Sequence, residues 1–146
     1  MPIDTPLNVL IADDHALVRK GLRDLLREQW PDMRLTEARD GTTALERLRA
    51  ETWDLVILDI TMPGLNGLEV LRLARQGQPN LRALLLSMHS SAVYVARSLK
   101  AGAVGYLSKE TAPEELVTAV KAVLAGGIYL SHDLLAQGGL PLTGLT

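Results

Sequence analysis

Five polar positions in this chain could do chemistry together: the pair Asp13-Asp14, then Asp59, Ser87 and Lys109. Each closes or follows a short apolar run, "NVLIA" before the acidic pair, "LVIL" before Asp59, "RALLL" before Ser87 and "VGYLS" before Lys109. An ionised carboxylate at the end of a buried run is costly unless a partner neutralises it. Three carboxylates held close also raise one another's pKa, so the set requires a cation. Oxygen donors with no cysteine favour a hard divalent ion, and magnesium is the usual choice in phosphoryl chemistry. A carboxylate beside such an ion, flanked by an ammonium and a hydroxyl, suits covalent acceptance of a phosphoryl group. The ion and Lys109 would neutralise phosphoryl oxygens, and Ser87 would donate a hydrogen bond to them.

Taken singly, each residue has a plainer role. An Asp after a strand caps a turn, and an acidic pair before a helix complements its dipole. Ser87 reads as a loop residue, Lys109 as a solvated charge and Tyr106 as a core aromatic. Only placement on one rim makes them a site, and that placement depends on the fold.

Short apolar runs alternate with longer amphipathic ones. "NVLIA", "MRLTEA", "LVILD", "RALLLSM" and "VGYLS" read as five strands, the second of them weak. Helices are expected over 15–29, "TTALERLRAE", "GLEVLRLARQG", "SSAVYVARSLKAG" and "PEELVTAVKAVLAGG". The last helix carries two start signals. Pro113 suits a first helical position, whereas Thr111 and Glu114 have capping-box spacing that places Pro113 second. Strand–helix alternation with doubly apolar strands means a parallel α/β sheet covered on both faces. Reactive residues then gather at the carboxyl ends of the strands, where all five polar positions fall.

The composition narrows the classes. With 146 residues and 47% apolar content, one domain with an aliphatic core is expected; there is no Phe, two Trp and three Tyr. Seventeen acidic against fifteen basic residues give a net charge of −2, with no overall attraction to DNA or an anionic membrane. The absence of Cys excludes disulfides and thiolate metal sites and fits a reducing cytoplasm. No run is long enough for a membrane span, and "MPIDTPLN" lacks the features of a signal peptide.

From about Leu7 to about Leu130 the chain resembles the receiver domain of a two-component response regulator. The resemblance is carried by "ADDH", by "DITMPGLNG" (Asp59 with Met62-Pro63 and Asn66-Gly67 at fixed offsets), by Ser87 and by "GYLSKE". It implies a flavodoxin-like (βα)5 fold, a doubly wound five-stranded parallel sheet in the order 2-1-3-4-5. Position by position, it implies that Asp59 is the phosphoacceptor. Asp14 then binds magnesium directly, Asp13 assists, and the Thr61 carbonyl completes the protein's share of the shell. Ser87 becomes the switch hydroxyl, Lys109 the salt-bridge partner of the phosphoryl group, and Tyr106 the aromatic that swings inward. The implied partner is a sensor histidine kinase. The chain would be a regulatory phosphoacceptor with self-catalysed transfer and dephosphorylation rather than an enzyme, and it would form a homodimer on phosphorylation. Two positions depart from the commonest pattern. Glu110 follows Lys109 where many receivers carry a cis proline, and bulky Met88 follows Ser87, where it would narrow access for small phosphodonors.

The tail sharpens the assignment. "GGIYLS" resembles the NarL/FixJ branch, whose LuxR-type helix-turn-helix output domain follows a linker. Leu142-Thr143 or Leu145-Thr146 stands where such a domain would open. The expected organisation is a receiver over 1–130 and a linker over 131–146, with DNA bound only through an output domain outside this chain. A stand-alone receiver acting by protein contacts is the first alternative. An aspartyl-phosphate phosphatase is the second, but phosphatases of the haloacid-dehalogenase-like family carry an acid-base Asp two residues after the nucleophile, where this chain has Thr61.

Overall fold

The computed structural model describes residues 6–88 and 92–131. Residues 132–146 of the expected linker, with both Leu-Thr pairs, lie outside the described residues. The elements run β1 (Asn8–Ala12), α1 (Ala16–Gln29), β2 (Arg34–Ala38), α2 (Gly41–Ala50), β3 (Leu55–Asp59) and α3 (Gly67–Gly77). They continue with β4 (Ala83–Ser87), α4 (Ala92–Lys100), β5 (Gly105–Ser108), α5 (Ala112–Leu124) and β6 (Tyr129–Leu130). Every pairing is parallel, and the order β2-β1-β3-β4-β5-β6 contains the expected five-strand order with one strand added at the edge.

The unbroken apolar runs follow from coverage on both faces. Side chains alternate across a strand, so Leu55 and Ile57 of β3 face one layer while Val56 and Leu58 face the other. The first layer packs under α1 and α5, with Leu22, Leu26, Leu116 and Val120. The second packs under α2, α3 and α4, with Leu48, Val70, Leu71 and Val95. All residues of β3 and β4 are buried, whereas β2, at the edge, is mostly half-exposed and reads weakly as a strand for that reason.

The turn after β3 sets the height of Asp59. Gly64 has φ +78°, a left-handed conformation that glycine adopts without strain. Asn66 caps α3 by accepting a hydrogen bond from the Glu69 N–H at 2.9 Å. Gly67 starts that helix against the strand end itself: a Cβ there would stand 2.4 Å from the Asp59 carbonyl oxygen. The Asn66-Gly67 pair therefore lets α3 begin in contact with the backbone that presents the carboxylate.

At α5, Thr111 occupies the N-cap and Pro113 the second helical position, the alternative given by capping-box spacing. The Thr111 side chain nevertheless makes no capping hydrogen bond. After the helix, Gly126 (φ +97°) turns the chain back along β5. There β6 forms, a strand too short for periodicity to show. The Tyr129 N–H donates to the Val104 carbonyl and the Ser131 N–H to the Tyr106 carbonyl, each at 3.0 Å. Ser131 is fully buried, and its hydroxyl accepts the Ser108 N–H at 2.9 Å. The Tyr129 hydroxyl donates to Glu115 at 2.7 Å, and burial together with that carboxylate pushes the phenol up to about 12. Packing thus continues through Ser131. Ser131→Ala removes the acceptor for a buried N–H and should cost about 1–3 kcal/mol in urea unfolding; an unchanged midpoint would show that bond to be dispensable.

Candidate functional site

Strand register assembles the rim. Ala12 of β1 pairs with Leu58 of β3, so Asp13 and Asp59 emerge side by side. Ser87 of β4 pairs with Ser108 of β5, which puts Lys109 one step beyond, over the same edge. Main-chain bonds hold both flanks: the Asp13 N–H donates to the Ala38 carbonyl at 3.0 Å and the Lys109 N–H to the Ser87 carbonyl at 2.9 Å.

Lys109 reaches from β5 across β4 to the acidic residues. Its ammonium lies 2.7 Å from Asp59 Oδ2 and 3.1 Å from Asp13 Oδ2, with its own side chain only 5% exposed. Asp13 is 0% and Asp59 1% exposed, so two buried carboxylates share one ammonium. Asp59 Oδ1 accepts the Thr61 N–H at 3.1 Å, while Thr61 itself is exposed on the turn. Asp14 is exposed and stands beside His15, its Oδ1 3.2 Å from His15 Nδ1.

The charges follow from this sharing. Burial pushes the Asp59 carboxyl up, and the Asp13 charge adds to the rise; the Lys109 bond and the Thr61 N–H oppose it without cancelling it. Burial alone would lower Lys109, but its bond to Asp59 and the charges of Asp13 and Asp59 outweigh that, so its ammonium is held more firmly than usual. One cation is thus secure while one carboxylate remains under-compensated.

The expected switch residues lie together on the next two strands. Ser87 is 2% exposed and hydrogen-bonded to the Tyr106 phenol, which is wholly buried in this structure. Burial raises the Tyr106 hydroxyl, and the Ser87 bond acts the other way. Glu110, in the place of a proline, donates its N–H to Ser108 Oγ at 3.3 Å, a bond that proline cannot make. Met88 is 62% exposed and, with His15, Val18, Lys109 and Glu110, lines a cavity of about 400 Å³ beside the carboxylates.

The donors fit a divalent cation. Asp13, Asp14, His15 and Asp59 each place a ligand atom within 4.8 Å of the others. Asp13 Oδ2 is buried and accepts no hydrogen bond, facing only the charge of the Lys109 ammonium at 3.1 Å. Three carboxylates against one ammonium leave a charge deficit that a divalent ion would close. Sequence reasoning gives His15 no role, because a histidine after an acidic pair reads as an exposed helix start; the structure turns its Nδ1 toward Asp13, Asp14 and Lys109, each at 3.2 Å.

Lys109→Met strands both buried carboxylates and should cost about 3–5 kcal/mol at pH 7. Asp59, with its raised native pKa, binds a proton more tightly than in the unfolded chain, so its contribution to stability falls as pH rises above the ordinary 3.8. The deficit of this variant should therefore shrink as urea unfolding is repeated toward pH 4. A deficit independent of pH would count against shared neutralisation.

Comparison with known proteins places the chain among relatives of one kind. The model of the response regulator receiver domain matches residues 9–121. The response regulator UvrY of Escherichia coli K12 is 37% identical over 92% of this chain and 62% of its own length. The transcriptional activator protein ExaE of Pseudomonas putida is 40% identical over 90% of this chain and 61% of its own. The chain thus spans a little over three-fifths of these relatives. Among solved structures, a two-component response regulator of the LuxR family from Aurantimonas sp. SI85-9A1 superposes with a TM-score of 0.85, at 34% identity over 97% of this chain and 100% of that one. The signal receiver domain of the putative response regulator NarL from Mycobacterium tuberculosis gives a TM-score of 0.75, at 34% identity over 83% of this chain and 98% of that one. With a parallel sheet in this order and acidic residues on its carboxyl rim, this chain belongs to the response regulator receiver domains, in the NarL/FixJ branch of two-component regulators.

Proposed function

We propose that Asp59 accepts a phosphoryl group from a phosphohistidine of a sensor kinase and that the change in charge is read by the rest of a transcription regulator. The under-compensated Asp59 carboxylate, buried at the rim beside Asp13 and Lys109, carries this reading. A carboxylate oxygen forms the new bond to phosphorus while the phosphorus–nitrogen bond breaks, and the imidazole leaves with the electron pair. Lys109 offers its ammonium to the transferred oxygens, within reach because it already sits 2.7 Å from Asp59. Asp13, Asp14, Asp59 and the Thr61 carbonyl would hold Mg2+, which supplies charge neutralisation at the phosphoryl oxygens.

Ser87 and Tyr106 are the switch in this account. Ser87 would exchange its Tyr106 partner for a phosphoryl oxygen, and the buried phenol would adjust with it. Phosphorylation favours whichever arrangement binds the added charge better. The expected consequences are homodimerisation and control of a LuxR-type helix-turn-helix domain after the linker, in the cytoplasm. DNA would be contacted only through that domain.

Incubation with acetyl phosphate and Mg2+ should add the mass of one phosphoryl group to wild type and none to Asp59→Asn. Equal labelling of the two would refute the assignment, and sustained phosphate release from many phosphoesters would favour a hydrolase. Met88→Ala, which opens the cavity beside the site, should label faster than wild type with this small donor. An unchanged rate would show that Met88 does not limit access.

A further inference from the structure

We propose that His15 is a nitrogen ligand of the acidic pocket and biases it toward borderline first-row divalent ions such as nickel and cobalt. This rests on the reading that the pocket holds a divalent ion; the assignment of an imidazole to its shell, and the selectivity that follows, go beyond that reading.

The geometry is specific. His15 is the N-cap residue of α1, yet its side chain makes no capping bond. The ring turns back, so that Nδ1 lies 3.2 Å from Asp13 Oδ1 and 3.2 Å from Asp14 Oδ1. Its backbone N–H donates to the same Asp13 oxygen at 2.8 Å, which fixes the His15 main chain against the buried carboxylate. One donor atom from each of Asp13, Asp14, His15 and Asp59 falls within 4.8 Å of the rest. Ligands about 2.1 Å from a shared centre stand at most about 4.2 Å apart, so small side-chain shifts suffice. The side chain is 60% exposed and can make them without disturbing the core.

The donor set then decides the preference. Magnesium takes oxygen ligands and keeps its waters, so an adjacent imidazole gains it little. Imidazole suits nickel, copper and zinc, and at nitrogen–oxygen sites affinity rises from manganese through cobalt and nickel to copper. A pocket of carboxylates alone would lack that added discrimination.

Isothermal titration of the untagged chain with Mg2+ and, separately, Ni2+ provides the test. His15→Ala should weaken nickel by at least the roughly tenfold that loss of even an outer partner costs a metal site, and leave magnesium unchanged. With Co2+, hyperfine-shifted imidazole resonances should be present in wild type and absent from His15→Ala. Magnesium binding with nickel affinity unaltered by the substitution, or shifted resonances that persist, overturns the role of His15 alone. Wild type that binds neither ion overturns the pocket as a metal site, and this proposal with it.

Discussion

The ammonium of Lys109, shared between Asp13 and Asp59, is the interaction around which the rim is organised. Two carboxylates at 0% and 1% exposure meet at it, and no other lysine or arginine side chain forms an ion pair with either among the described residues. Its position is set by main chain: register puts Ser108 opposite Ser87, and the Lys109 N–H is tied to the Ser87 carbonyl at 2.9 Å. The turn beyond is closed by Glu110 N–H on Ser108 Oγ, which takes the place of proline stiffness. On the far side, Ser108 N–H is held by Ser131. The lysine is thus braced from both neighbouring strands, and the carboxylates it serves depend on that bracing.

Sharing one cation between two anions leaves a deficit, and the deficit gives the site its chemical character. A fully paired aspartate would be a structural ion pair with no need for a further cation. Here Lys109 is held firmly while Asp59 is pushed up, so a further cation or a rearrangement of charge is favoured. The Ser87–Tyr106 bond lies on the adjoining strands, and Ser131, just past β6, donates its N–H to the Tyr106 carbonyl. Asp59 pairs with Leu86 next to Ser87, and Tyr106 with Leu130, so the rim and the last described strand are joined through two neighbouring strands.

Most of this frame is legible in the sequence for definite reasons. "LVILD" and "ALLLS" read as central strands because burial on both faces demands unbroken aliphatic runs. Once five strands alternate with helices, their polar ends must share a rim, which groups Asp13, Asp14, Asp59, Ser87 and Lys109 on sequence alone. Strand order came from family resemblance, since periodicity carries no information about it. β6 escaped because two residues have no period, and Ser131 because nothing local marks a serine as buried 0% exposed against β5. His15 escaped because its role comes from the direction of a ring, not from its place in the chain. The start of α5 was ambiguous in sequence because Thr111 and Pro113 signal different registers; tertiary packing selects one and leaves the Thr111 side chain without its cap bond.

The most direct test of shared neutralisation is the carboxyl titration of Asp59, followed by carbon-13 NMR in wild type and in Asp13→Asn. The account predicts that Asp59 in wild type titrates above its ordinary 3.8 and moves down when the neighbouring charge is removed. An Asp59 that titrates below 3.8 in wild type, or that is indifferent to Asp13, would contradict it.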